Sequence, residues 1–330
     1  MKKIFALLLS AALLVTLLAA CGGGTTTDTD TDTQEPAADA STTQVEEQEP
    51  DTGDASKDDP LNQDEIGEKE LLVVSFGTSY NDSRRETIGA IEKAMQTAFP
   101  DYSVRRAFTS QIIIDHVKDR DGVTIDNVEQ ALERAVNNGV KTLVVQPTHL
   151  MNGLEYEELT DELAKYSDSF EKIAIGDPLL TSDADFEAVM TAITDATKDA
   201  ADGKTAICFM GHGTTADSNS VYSKMQTLLT DKGFNDYYVG TVEATPSLDD
   251  VLAAVQKGNY EKVILRPLMI VAGDHANNDM AGDEADSWKS TFEKAGYTVD
   301  CQVEGLGQLE AIQQLFVEHA KAAVASAEAE

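Results

Sequence analysis

Cysteine is scarce in this chain of 330 residues: Cys21, Cys208 and Cys301 are the only three. That count excludes a cysteine-rich metal or redox centre. Positive charge is also in short supply, with 25 Lys and Arg against 59 Asp and Glu and a formal net charge of −34. Such an excess repels nucleic acid and anionic lipid surfaces and attracts cations, so no nucleic-acid partner is expected. Aromatic residues are missing altogether from 22–70, where Gly, Thr, Asp, Glu, Ala, Gln and Pro predominate and 16 acidic side chains face two Lys. A segment of this kind buries too little apolar surface to offset its ordering entropy. Residues 22–70 therefore read as a disordered tether extended by self-repulsion.

The first twenty residues carry Lys2-Lys3, the apolar run Ile4–Leu17 and the small-residue stretch Leu18-Ala19-Ala20 before Cys21. This pattern is a secretory signal over 1–20, too short and wrongly flanked for a mature membrane span. The cysteine at the cut resembles a bacterial lipobox, which implies lipidation of Cys21 and an extracytoplasmic protein held to the membrane only by its lipid anchor; stable anchoring takes two or more acyl chains. That address brings a membrane transporter into view as a partner. Self-association is left open.

Three residues stand out in the remainder: His212 in MGHG, Glu243 in TVEA and His275 in AGDH. Each directly follows an apolar run that reads as a buried strand: Thr205–Met210, Tyr237–Val242 and Val263–Val271. Successive members are separated by about one strand-helix-strand unit, roughly 30 residues. Three consecutive parallel strands thus bring two imidazoles and a carboxylate to one sheet edge, where ligands bind in open α/β sheets. Two His and one Glu make a divalent-metal site with open coordination positions. Without a thiolate, such a site releases a divalent ion rather than trapping it.

Apolar runs also occur at Leu71–Phe76, Lys141–Gln146, Glu171–Ile175 and Tyr297–Val303. Segments with apolar residues three and four apart, which read as helices, lie at Arg84–Ala98, Asn127–Asn138, Asp185–Ala200, Val221–Lys232, Leu248–Lys257 and Gln308–Ala325. This alternation predicts an α/β fold with parallel sheets flanked by helices. The halves echo one another: Leu72–Ser79 parallels Ala206–Gly213, and Lys141–Gly153 parallels Lys262–Gly273. Two similar lobes follow, 71–200 and 201–330, each near the usual domain size and facing the other across a cleft. In the echo Thr78 takes the place of His212, and Glu155 that of His275. One lobe carries metal ligands, and the other presents hydroxyls and carboxylates.

The motifs LVVSFGTSY (72–80), RAFTS (106–110), MGHG (210–213) and PLMIVAGDHANNDM (267–280), followed by DSWK (286–289), resemble the anaerobic sirohydrochlorin cobaltochelatases, which belong with the ferrochelatase-like class II chelatases. The resemblance covers essentially all of 71–330. It implies a two-lobed α/β fold, an open tetrapyrrole cleft and insertion of Co²⁺ without ATP or any other nucleotide. It also implies that His212, Glu243 and His275 hold the metal. His212 and Glu243 are the catalytic candidates, because an imidazole titrating near neutrality both ligates and accepts a proton. Gly211 and Gly213 would let a flat macrocycle approach the backbone. The Gly77-Thr78-Ser79 turn would offer amides to a substrate carboxylate.

The remaining histidines are open to more than one reading. His149 either lines the pocket or is a satisfied structural histidine. His116 is a surface residue or a ligand to a second metal or haem, and His319 reads as surface. Arg84 and Arg85 fit the substrate turn or an ordinary first helical turn. Cys208 and Cys301 are two buried thiols or one disulfide. A second functional class stays available: a surface lipoprotein that captures haem, a cobalt tetrapyrrole or free metal for uptake.

Overall fold

The computed structural model describes residues 51–329. The signal peptide, Cys21 and the tether up to residue 50 lie outside the described residues. The first lobe runs β1 (Lys69–Ser75), α1 (Asn81–Glu86), α2 (Ile88–Ala98), β2 (Ser103–Phe108), α3 (Gln111–Asp121), α4 (Val128–Asn137), β3 (Thr142–Pro147), α5 (Leu154–Ala164) and β4 (Lys172–Ile175). After α6 (Asp183–Thr197), the second runs β5 (Thr205–Gly211), α7 (Ser220–Asp231), β6 (Tyr237–Thr241), α8 (Leu248–Val255), β7 (Lys262–Pro267), α9 (Trp288–Lys294) and β8 (Thr298–Cys301), and α10 (Glu310–Ala329) closes the chain.

Both sheets have four strands, all parallel, in the orders β2-β1-β3-β4 and β6-β5-β7-β8. The central strands β1 and β5 are apolar on both faces because helices cover both. The two-lobed parallel α/β expectation holds, with one strand order used twice.

Pairing register fixes the true correspondence between lobes. Val74 pairs with Pro147 as Met210 pairs with Pro267. The Ser110 amide donates to the Phe76 carbonyl as the Glu243 amide donates to that of His212. His212 therefore corresponds to Phe76 and not to Thr78, and Glu243 corresponds to Ser110. Glu155 and His275 do match, each eight residues beyond its strand-ending proline. The echo slipped by two residues because Gly-Thr-Ser resembles Gly-His-Gly as text. The glycines that share a backbone role are Gly77 and Gly213, with φ of 101° and 90°, the left-handed region that favours glycine.

The disordered tether expected through residue 70 does not hold for its described part. Residues 51–68 pack on the first lobe, with a short 3₁₀ turn at Ala55–Lys57 and a buried Leu61. Asp58 reaches Arg84 Nε at 2.6 Å and Arg106 Nη1 at 2.7 Å, and all three side chains are buried. Two guanidiniums neutralise a carboxylate that composition alone assigns to solvent.

The lobe boundary is also crossed. Helix α10 packs over β3 and β4 of the first lobe, where Lys172 Nζ donates to the Ala327 carbonyl at 2.8 Å. Helix α6 leans on the second lobe, with Thr197 Oγ1 2.9 Å from Tyr237 Oη on β6. The largest apolar cluster joins Leu71, Ile91 and Phe316 to Phe209, Met225 and Val189, so the lobes share one core.

Candidate metal and tetrapyrrole site

Strands β5, β6 and β7 end at one edge and carry His212, Glu243 and His275 onto it. The ligating atoms of these three residues all lie within 4.8 Å of one another, and among the described residues no other group of three is placed this way. His212 Nε2 is 3.9 Å from Glu243 Oε1. The imidazole rings meet edge to face, with centroids 4.6 Å apart. His212 and Glu243 are exposed and His275 is half-buried, so the site opens outward.

Each imidazole is oriented through its other nitrogen. His212 Nδ1 lies 2.7 Å from the Gly213 carbonyl, which can only accept, so Nδ1 carries the proton and Nε2 keeps a lone pair that can ligate an ion. His275 Nδ1 lies 2.6 Å from Asp279 Oδ2, one turn along. His275 leads into a single turn of π-helix at Ala276–Met280, a local widening frequent at functional sites. A carboxylate behind a ligating imidazole fixes its tautomer and raises its basicity. His275 is thus backed by a charge and His212 by a neutral carbonyl.

The glycines of MGHG meet protein on the side where a Cβ would stand. A Cβ at Gly211 would run into the Tyr222 ring, and one at Gly213 would come within 2.9 Å of Ala244. Gly213 also has a φ of 90°, which favours glycine. The Tyr222 hydroxyl accepts from the Gly213 amide at 3.2 Å. Both glycines therefore let the His212 backbone pack closely, Gly211 against the Tyr222 ring of α7 and Gly213 against Ala244.

From the first lobe, Thr78 is buried at the seam, where a Cβ on Gly273 would stand 3.1 Å from its hydroxyl oxygen. The Thr78 hydroxyl accepts from the Tyr80 amide, and the Ser79 carbonyl accepts from Arg120. Gly77 lies against the Phe108 ring with a φ of 101°. Arg84 is buried and bound to Asp58, Asn81 and the Thr78 carbonyl, which makes it a structural residue. Arg85 is engaged with its helix neighbours Asp82 and Glu86.

Glu155 is the residue the echo placed correctly. Desolvation raises its carboxyl above the ordinary range, and His212 from the other lobe pulls it back, so the two groups sense one another across the seam. His149 is buried beneath it, with Nε2 3.5 Å from Glu155 Oε2 and no hydrogen-bond partner on either ring nitrogen. Burial drives its pKa down to about 4, so it is neutral. His116 is exposed, 3.5 Å from Arg120. His319 is not the surface residue its helix implied: it meets Asp185 Oδ1 at 3.1 Å and the Asp177 carbonyl at 3.0 Å, because α10 folds back onto the first lobe.

Cys208 and Cys301 are both free. Cys208 pairs with Leu265 and Leu265 with Cys301, so the thiols sit two strands apart. Two interstrand steps of about 4.8 Å exceed the roughly 7 Å limit between Cα atoms for a disulfide.

Comparison with known proteins agrees with this geometry. The chain is 38% identical over 251 residues to the sirohydrochlorin cobaltochelatase of Salmonella typhimurium, covering 76% of this chain and 94% of that one. It is 30% identical over 260 residues to sirohydrochlorin cobaltochelatase CbiKC of Nitratidesulfovibrio vulgaris, covering 78% and 91%. Among solved structures, SirB from Bacillus subtilis with Fe3+ shares the fold at a TM-score of 0.57 and 14% identity, covering 80% of this chain and 98% of that one. The family model described as cobalt chelatase (CbiK) matches residues 69–325, a span that takes in both sheets and His212, Glu243 and His275, and the chain belongs to that family.

Proposed function

We propose that this protein inserts Co²⁺ into sirohydrochlorin without ATP, the ion and the tetrapyrrole being its two substrates. The observation that carries this reading is the convergence of two oriented imidazole nitrogens and a carboxylate on open space at the lobe seam. Three protein donors leave coordination positions free for pyrrole nitrogens. Imidazole and carboxylate donors hold such an ion without the permanence of a thiolate cage, and they take Fe²⁺ on the same terms.

Insertion breaks two pyrrole N–H bonds as the four ring nitrogens bind the ion, and two protons must leave. His212, once it has given up the ion, accepts one at Nε2. Glu155, opposite it, accepts the other as a carboxylate. Glu243 and His275 mainly hold the ion and offset its charge. The Gly77–Ser79 turn takes a carboxylate of the substrate's rim.

The test uses the soluble fragment 51–330, anaerobically, with sirohydrochlorin and Co²⁺ and no nucleotide. The visible spectrum should shift faster than in the uncatalysed reaction, over many turnovers per chain. Uptake that stops at one ligand per chain would instead identify a capture protein for haem, a cobalt tetrapyrrole or metal. No acceleration with any of several tetrapyrroles removes the reading.

The cellular address is proposed from residues 1–21: secretion, lipidation of Cys21 and display of the chelatase outside the membrane. Cys21→Ala should move the protein from the membrane fraction to the soluble one. Equal membrane retention would count against the anchor.

A further inference from the structure

Residues 51–68 form a strap that lies outside the span matched by the family model, which begins at residue 69. Much of its bonding is directed at α1 and the turn before it. The Asp82 amide donates to the Thr52 carbonyl at 2.9 Å. Asn81 Nδ2 donates to the Gly53 carbonyl at 3.2 Å, while its Oδ1 accepts from Arg84 Nη2. Arg84 Nε donates to Asp58 Oδ2 at 2.6 Å, and Arg84 Nη1 donates to the Thr78 carbonyl at 3.1 Å. Thr78, Asn81 and Arg84 are buried, and so is the Asp58 side chain. One planar guanidinium thus ties the strap to the turn, holding three partners in fixed directions.

The other side of that turn is the seam. The Thr78 hydroxyl faces Gly273, and Ser83 Oγ accepts from the Ala272 amide at 3.0 Å. Asp51 and Thr52 share a cavity of about 240 Å³ with Tyr80, Ser83, Ala272 and Asn277. Asn277 in turn donates to the Gly273 carbonyl at 2.8 Å, two residues before His275. Strap, first-lobe turn and metal-bearing loop therefore meet in one place. The contacts of Asp58 with Arg106, and of Arg106 with Glu92, would by themselves serve stability. The Arg84 fork and the Thr52 and Gly53 carbonyls instead fix the backbone of a turn.

We infer that the strap is part of the working site: through Asp58 and Arg84 it holds the Gly77–Ser79 turn in the conformation that receives the tetrapyrrole carboxylate. This deepens the chelatase reading above and rests on it. A turn that binds through its amides works only while its backbone is held in place, and a displacement of about 1 Å is enough to cost function. Asp58 and Arg84 are positioning residues in this role, since neither touches substrate.

The test measures kcat, KM for sirohydrochlorin, Co²⁺ affinity by calorimetry and melting temperature. The full-length wild type, Gly53→Ala and Arg84→Lys are compared at a temperature well below the lowest melting point. Gly53 has a φ of 93°, so alanine strains the strap over α1 and leaves the Asp58 charge cluster intact. Arg84→Lys keeps a cation beside Asp58 and loses the fork that reaches the Thr78 carbonyl. Each change removes about one net hydrogen bond from the support of the turn, so KM for sirohydrochlorin should rise about fivefold while Co²⁺ affinity stays within about twofold. Gly53 is only half-buried, so its variant folds even where Arg84→Lys does not. A lower melting temperature with unchanged KM in Gly53→Ala would make the strap a stabiliser and overturn the inference alone. An equal loss of Co²⁺ affinity would mean general loosening and would overturn it too. A wild type that turns over no tetrapyrrole overturns the chelatase reading and this inference with it.

Discussion

The two lobes share a strand order, a pairing register and a seam, and differ at three corresponding positions. The second lobe has His212, Glu243 and His275; the first has Phe76, Ser110 and Glu155. A parallel sheet with loops at its carboxyl edge supplies the geometry twice, and side-chain identity decides that one copy takes an ion. The difference continues behind the site. His275 is backed by Asp279 four residues on, whereas four residues beyond Glu155 stands the buried Leu159. The first lobe keeps a carboxylate that can take a proton but lacks the donors and the supporting charge that would make it a second metal site.

The sharpest way to break the comparison is His212→Ala. Insertion should be abolished while part of the Co²⁺ affinity survives, because Glu243 and His275 still hold the ion. His275→Ala should weaken metal binding by more than the roughly 10–100-fold typical of losing a supporting residue, and excess Co²⁺ should partly restore turnover. Full recovery of His212→Ala with excess metal would show that its role is ligation alone.

The next effect separates the lobes by stability. The first lobe depends on Asp58, whose carboxyl burial pushes up and the hydrogen bonds and charges of Arg106 and Arg84 bring below the ordinary range. Removing one member of a buried ion network leaves charge uncompensated and costs about 3–5 kcal/mol. Asp58→Ala, or a fragment starting at residue 71, should melt well below 51–330 in a thermal scan. Since the folded-state pKa is depressed, this contribution is present at neutral pH and is lost as pH falls through the carboxylate range. Equal melting of the two fragments would make the strap incidental.

A smaller change tests the support behind His275. Asp279→Asn keeps the shape and removes the charge, and should lower Co²⁺ affinity by about 10–100-fold. His212 has only a carbonyl behind it, so the metal-independent steps should be spared. A calorimetric titration decides, and unchanged affinity would mean that the Asp279 contact orients nothing.

What the sequence made legible follows the range over which its physics acts. The convergence of His212, Glu243 and His275 could be read because each lies beyond the carboxyl end of a buried strand, and parallel strands end on one edge. The sheet alternation was visible for the same reason. Strand β2 was not, because Arg105 and Arg106 sit in it as charges; both are buried against Asp126, Glu92 and Asp58, partners distant in the chain. Helix α5 was hidden by its acidic face, with only Leu159 and Leu163 buried. The strand placed over Val263–Val271 ends at Pro267, since proline gives the ladder no amide. The return of α10 to the first lobe depends on tertiary packing that no local pattern records.

The finest probe of the comparison is the acid limb of the pH–rate profile, which the first lobe's carboxylate should shape. Desolvation raises Glu155 and His212 draws it down, with the net shift upward. Its base form is therefore present at high pH and is lost as pH falls through a value above that of a free glutamate. If Glu155 accepts a proton, kcat should fall along that limb in wild type. In Glu155→Gln that limb should vanish. His149 beneath it stays neutral throughout this range, with its pKa held near about 4, so it adds no competing step above that value. A Glu155→Gln profile that keeps the wild-type acid limb would assign both protons to the metal-bearing lobe, and the first lobe would be left with binding alone.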